Sequence, residues 1–224
     1  MKDTLISLKN RYNSMSAPVK AAFWFTVCSF LQRGVSMITT PIFTRLLPTE
    51  EYGLYSTYLS WQTVLLMVVS LSLYKAIMNL YVKYEDRERV LSAVCGLELM
   101  LSFIWLLIGL TFKEKIAELL GISATLVCCL FIYFMFQSVF QCWSLYKRYI
   151  YDYKILIIVT LFLTAGSAFL GVFSVIFISP TASSRAVSDV MVLTVIGIVL
   201  YITVFRKGKV FYDKKIWLFS LGFC

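Results

Sequence analysis

Six stretches of roughly twenty predominantly apolar residues dominate this sequence, each long enough to cross the roughly 30 Å hydrocarbon core of a bilayer as a helix. They fall at Ala21–Thr44, Tyr52–Leu73, Val90–Phe112, Ile122–Tyr146, Ile155–Ile178 and Val187–Phe205. A seventh begins at Ile216 and has run only nine residues when the sequence reaches Cys224. Of the 224 residues, 60% are hydrophobic and 15% charged, which leaves too little polar surface to cover one core in water. The expected fold is therefore all-α and integral to the membrane, a six-helix transmembrane bundle. Pro48 is placed to stop the first helix, and Glu50 and Glu51 suit the start of the second, where carboxylates meet the positive end of the helix dipole.

Several chemistries are excluded at once. Without a histidine there is no imidazole for a zinc site, a Ser-His-Asp triad or a general base. The six cysteines (Cys28, Cys95, Cys128, Cys129, Cys142 and Cys224) lie inside apolar stretches without C-x-x-C spacing and read as buried thiols. No catalytic residue, metal or cofactor is expected.

The net charge of +9 has its own logic. Sixteen of the 21 Lys and Arg residues fall on one side of the spans, in the N-terminal tail, Tyr74–Arg89, Lys147–Lys154 and Arg206–Lys215. Four (Arg45, Lys113, Lys115 and Arg185) fall on the other side, and Arg33 lies within a span. The positive-inside rule then puts the N-terminus in the cytoplasm and accounts for the charge without nucleic acid. No cleaved signal peptide is expected, because charges continue to Lys20 and the next apolar run is of spanning length. Met1, Leu5, Leu8, Tyr12 and Met15 recur at helical spacing beside Lys2, Lys9 and Arg11. They suggest a short helix on the inner membrane surface, the plainer alternative being an unstructured lead-in.

Polar residues inside spans carry the functional information. In the first span Thr26, Ser29, Arg33, Ser36, Thr40 and Thr44 form one stripe along a helix face. A guanidinium at mid-bilayer costs at least about 2.5–3.5 kcal/mol unless it faces water, a partner or an anion. Arg33 is thus either an anion-binding residue in a central cavity or half of an ion pair that holds helices together. Glu98 in the third span needs the same explanation. At about 1.5 Å per residue, Arg33 lies about 18 Å and Glu98 about 12 Å from the cytoplasmic ends of their helices. The two would meet if those helices were neighbours. Gln137 and Gln141 in the fourth span, at depths of about 13 and 7 Å, complete a cluster that suggests a one-sided polar cavity, or else interhelical hydrogen bonds. Asp189 and Arg185, four residues apart, read as a surface pair. The stripes Ser56, Ser60, Thr63 and Ser70, and Thr160, Thr164, Ser167, Gly171 and Ser174, read as close helix packing.

The stretch Ser29–Leu73 carries a resemblance. A first helix ending in Pro41 and Thr44-Arg45-Leu46-Leu47, followed by Glu51-Tyr52-Gly53 opening the second, resembles the N-terminal signature of bacterial O-antigen and capsular polysaccharide flippases. These belong to the multidrug/oligosaccharidyl-lipid/polysaccharide exporter superfamily. Asp152-Tyr153-Lys154 before the fifth span and Arg185 leading into the sixth are similar too.

The resemblance implies a non-enzymatic function in the bacterial plasma (inner) membrane: moving an undecaprenyl-diphosphate-linked oligosaccharide between leaflets for surface polysaccharide, including the O-antigen of lipopolysaccharide. Set beside it, the polar residues within the spans would supply a substrate site at Arg33, Gln137 and Gln141, with Glu98 as a coupling or ion-pair residue and H+ or Na+ as the coupling ion. Partners are then membrane lipids, the lipid-linked oligosaccharide, and a missing second lobe or a second copy of the chain. Residues 1–215 would form one lobe of a two-lobe transporter, with 216–224 the start of a truncated seventh span. A drug/cation antiporter of the same superfamily and a non-transporting remnant are the alternatives. A polysaccharide polymerase would need longer extramembrane loops than Lys113–Gly121.

Overall fold

The computed structural model describes residues 16–222, and all of its regular structure is helical. The amphipathic N-terminal segment Met1–Met15 and Cys224 lie outside the described residues. In chain order the helices are α1 (Ala17–Leu46), α2 (Thr49–Val69), α3 (Ala76–Lys83), α4 (Arg87–Thr111) and α5 (Lys113–Leu120). They continue with α6 (Ala124–Tyr149), α7 (Tyr153–Phe177), α8 (Ala182–Gly208) and α9 (Lys214–Leu221). Local chemistry sets most of the boundaries. Asp86, Ser123, Thr181 and Asp213 accept backbone N–H bonds as N-caps of α4, α6, α8 and α9. Gly121 ends α5 in the left-handed region that glycine occupies without steric cost.

Helices α4, α6, α7 and α8 are long and apolar enough to cross a membrane. A fifth span results if α2 and the segment Leu73–Lys83, bent by 56° at the break between them, count as one. Four, or with the bent pair five, of the six expected spans are thus met by length and composition. At 30 residues α1 is long enough, but Gln32, Arg33 and its Ser/Thr stripe dilute its apolar character below the others. The chain is a multi-pass membrane protein.

The second apolar stretch departs from a straight span. It breaks at Ser70–Ser72, where Leu71 and Ser72 both have positive φ (47° and 53°) and Ser70 Oγ accepts the Ser72 N–H at 3.2 Å. The chain then re-forms as a short 3₁₀ turn and α3 through a segment that the charge pattern assigns to a loop. Ala76, Ile77, Leu80 and Tyr81 recur at helical spacing there and are buried.

Helix α6 is the centre of the bundle, packed along its length between α4 and α8. One core joins its second half to α3, α4, α8 and α9 through Leu80, Val94, Trp143, Leu200 and Ile216. Another joins its first half to α2 and α8 through Tyr58, Leu130, Phe134 and Ala186. Gly197 makes the α6–α8 approach possible, since a Cβ there would lie 2.5 Å from the Phe136 ring. Outside this core, α1 packs on α7 and barely touches α2. The gap between α1 and α2 opens the site described next.

Candidate functional site

The gap forms a polar cleft of about 340 Å³. Its walls are Gln32, Ser36 and Thr39 from α1, Gln62 from α2, Tyr133 and Gln137 from α6, Thr164 and Ser167 from α7, and Arg185 and Asp189 from α8. A second cleft of about 180 Å³ continues it: Gln62 and Tyr133 line both, and Ser70, Ser72, Tyr74 and Gln141 complete the second. Gln32 Nε2 donates to Thr164 Oγ1 at 3.3 Å, tying α1 to α7 across one edge.

The charged floor of the first cleft is a network rather than a surface pair. Arg185 and Asp189 are ion-paired one turn apart near the start of α8, and Arg185 Nη1 also donates to the Ser167 carbonyl at 3.3 Å. The guanidinium stands over the rings of Phe43 (4.4 Å) and Tyr55 (5.5 Å). Asp189 in turn accepts from Tyr55 Oη at 2.7 Å and from Ser167 Oγ. Gly171 makes the room, because a Cβ at that position would lie 2.5 Å from Arg185 Nη1. The reading of Asp189–Arg185 as a surface pair is therefore corrected. The Ser167–Gly171–Ser174 stripe is a cradle for the arginine as well as a packing face: Ser188 Oγ donates to Ser174 Oγ at 2.7 Å beside it. One signal in the sequence pointed here, namely a small-residue stripe on one span facing an Arg/Asp pair on the next.

Of the residues singled out from sequence, the two glutamines line these clefts, whereas Arg33 and Glu98 line neither. Gln137 lines the first and Gln141 the second, where Gln141 Oε1 is buried without a hydrogen-bond partner among the described residues. Arg33 sits beside Gln32 on the exposed face of α1, and every member of its stripe from Thr26 to Thr44 is exposed. Glu98 is 1% exposed, inside the bundle rather than on the cleft wall. Neither of its oxygens makes a hydrogen bond among the described residues, although the Tyr74 backbone lies close by. Cys142 and Tyr201 are among its neighbours. Arg33 and Glu98 do not meet. Similar depth does not make neighbours: α1 packs on α7, whereas α4 packs on α6 and α8.

The arrangement offers amide and hydroxyl hydrogen-bonding groups and an internally neutralised Arg–Asp pair, with an exposed cation on the same helix that supplies one wall, in a protein whose remaining exterior is largely apolar. Such a site can bind and pass a polar group alongside lipid. Among the described residues no three Cys, Asp or Glu side chains gather as a metal site. A family profile described as polysaccharide biosynthesis protein matches residues 19–223. Members of that family are typically transporters rather than enzymes. No curated protein and no solved structure matches the chain.

Proposed function

The chain belongs to the polysaccharide biosynthesis protein family, and from that premise we propose that it moves an undecaprenyl-diphosphate-linked oligosaccharide across the bacterial plasma membrane. The observation that carries this reading is the polar cleft between α1 and α2, continuous with an exposed polar face on α1 in an otherwise apolar exterior. Transporters built of repeated bundles hold their substrates near the bilayer midplane, where the bundles meet, and a polar face left uncovered on one bundle is half of such a site.

In this reading α1 and the bent pair of α2 and α3 are both spans, giving six in all, with the N-terminus in the cytoplasm as the charge asymmetry requires. A second bundle, or a second copy of the chain, would cover the exposed polar face. Arg33 holds the diphosphate, since a planar guanidinium suits bidentate phosphate contact. Gln137 and Gln141 offer amides to sugar hydroxyls. Glu98, buried and without an ion pair among the described residues, exchanges a proton or a sodium ion during the cycle.

Binding of a lipid-diphosphate-linked saccharide to the purified protein tests the reading. Arg33→Ala should weaken binding by about tenfold or more, the worth of one charge-assisted phosphate contact, and Arg33→Lys by less. Equal binding by all three proteins would remove Arg33 from the site. Preference for lipophilic cations over the lipid-linked saccharide would favour a drug/cation antiporter instead.

A further inference from the structure

A third cavity shares no residue with the polar clefts and has a different character. It lies where the first turns of α4 and α7 meet the last turns of α6 and α8, and encloses about 250 Å³. Its floor is the buried side chains of Leu91, Trp143, Leu200 and Val204. Its sides are Ile155 and Val199, which are 48% and 58% exposed on membrane-crossing helices, so the cavity is a groove open sideways to lipid. An apolar hollow of this kind gains little from water, which needs two to four polar partners, and gains dispersion contacts from a hydrocarbon chain.

The rim specifies the headgroup. Three charged residues, Lys147, Lys207 and Glu88, line one end of the groove. Lys147 is already satisfied, bound to Asp152 at 2.5 Å and standing over the Trp143 ring at 5.8 Å. Lys207 and Glu88 are held less firmly: they are 3.9 Å apart with side chains 58% and 44% exposed, a loose pair of little energetic worth. Tyr146, whose hydroxyl faces Glu88, completes that end. A purely anionic headgroup would meet Lys207 favourably but Glu88 unfavourably. A headgroup carrying a phosphate and, beyond it, a primary ammonium matches both charges and supplies donors to the carboxylate.

We propose that this groove binds a membrane glycerophospholipid of the phosphatidylethanolamine type. One acyl chain lies over Trp143, the phosphate is at Lys207, and the ammonium is at Glu88. The occupant is a resident lipid and not the polyprenyl diphosphate, whose two adjacent phosphates would stand against Glu88 with nothing to offer it.

Native mass spectrometry of the whole purified chain, delipidated and offered equal phosphatidylethanolamine, phosphatidylcholine and phosphatidylglycerol, tests this directly. A single retained phosphatidylethanolamine per chain is expected. Lys207→Gln should reduce its retention about fivefold, the size of one lysine contact at a lipid surface. Glu88→Gln should shift the preference toward phosphatidylglycerol. Both side chains are about half exposed, so neither variant threatens the fold. A second readout uses tryptophan fluorescence. Phosphatidylethanolamine brominated on its acyl chains should quench the unmodified protein more than a Trp143→Phe variant, and Val199→Phe, which obstructs the groove without adding an indole, should abolish that difference. Retention without headgroup preference, displacement of the bound lipid by polyprenyl diphosphate, or quenching indifferent to Trp143 would each overturn the proposal.

Discussion

Arg185 shows how a charge is kept inside this bundle. Its guanidinium is held by Asp189, by the Ser167 carbonyl and by two aromatic faces, and Gly171 leaves the space. Breaking such a pair from one side strands a buried charge and costs about 3–5 kcal/mol, whereas replacing both partners by apolar groups is often tolerated. Asp189→Ala should therefore lower the thermal midpoint in detergent steeply, and Arg185→Met with Asp189→Leu should recover much of it. Tyr55→Phe should cost less, about 1.5–3 kcal/mol for one hydrogen bond to a carboxylate. Arg33 makes the opposite forecast. It is exposed and makes no ion pair among the described residues, so Arg33→Ala should leave the thermal midpoint unchanged while weakening substrate binding. A large fall in stability would make it structural. The sequence alone could not separate these two arginines. An Arg and an Asp four residues apart look the same whether they face water or a glycine on the next helix, and depth along a helix says nothing of which helices are neighbours.

At the scale of elements, the apolar runs were legible because a bilayer imposes their length. The ends of α1, α4, α6, α7 and α8 fall within a few residues of the apolar stretches. The break after α2 was not legible, since Ser70-Leu71-Ser72 contains neither proline nor glycine. Ser72→Gly should relieve a left-handed backbone costing about 1–2 kcal/mol in a non-glycine residue, raising the thermal midpoint. A lower midpoint would show that the bend is held by the serine side chains instead. Helix α9 depends on Asp213, which caps the Lys215 and Ile216 amides and pairs with Arg89 at 2.8 Å. Burial is the largest single influence on the Asp213 carboxylate and raises its pKa, but the Arg89 guanidinium and the Ile216 and Lys215 amides together outweigh it and hold the pKa below the usual value. A carboxyl depressed in the folded state stabilises above its unfolded pKa and loses that contribution as pH falls through the folded one. The α9 cap should thus persist from neutral pH to about pH 4 and give way only below it. Trp217, whose Nε1 donates to the Ala93 carbonyl at 2.8 Å, reports the change by fluorescence. A Trp217 transition between pH 5 and 7 would assign it to another group.

For the whole molecule, two features of the sequence did most of the work. Apolar run length announced a polytopic helical protein, and the Ser29–Leu73 motifs pointed to the family that residues 19–223 match. The cleft itself depends on α1 leaning on α7 rather than on α2, a packing choice that no single helix encodes. Orientation is open to direct measurement. In a cysteine-free variant, cysteines at Ser123 should react with an impermeant thiol reagent outside the cell, and cysteines at Lys209 should not; the reverse pattern would invert the topology. The central claim is that the polar face of α1 and its cleft take the lipid-linked saccharide. A photo-crosslinking residue at Ser36, which is exposed on that face and lines the cleft, tests it most directly. The account predicts a crosslink to the lipid-linked saccharide at Ser36 that Arg33→Ala diminishes, and none from the same probe at Ile158 on the exposed apolar side of α7. Equal crosslinking at both positions, or none at Ser36, would contradict it.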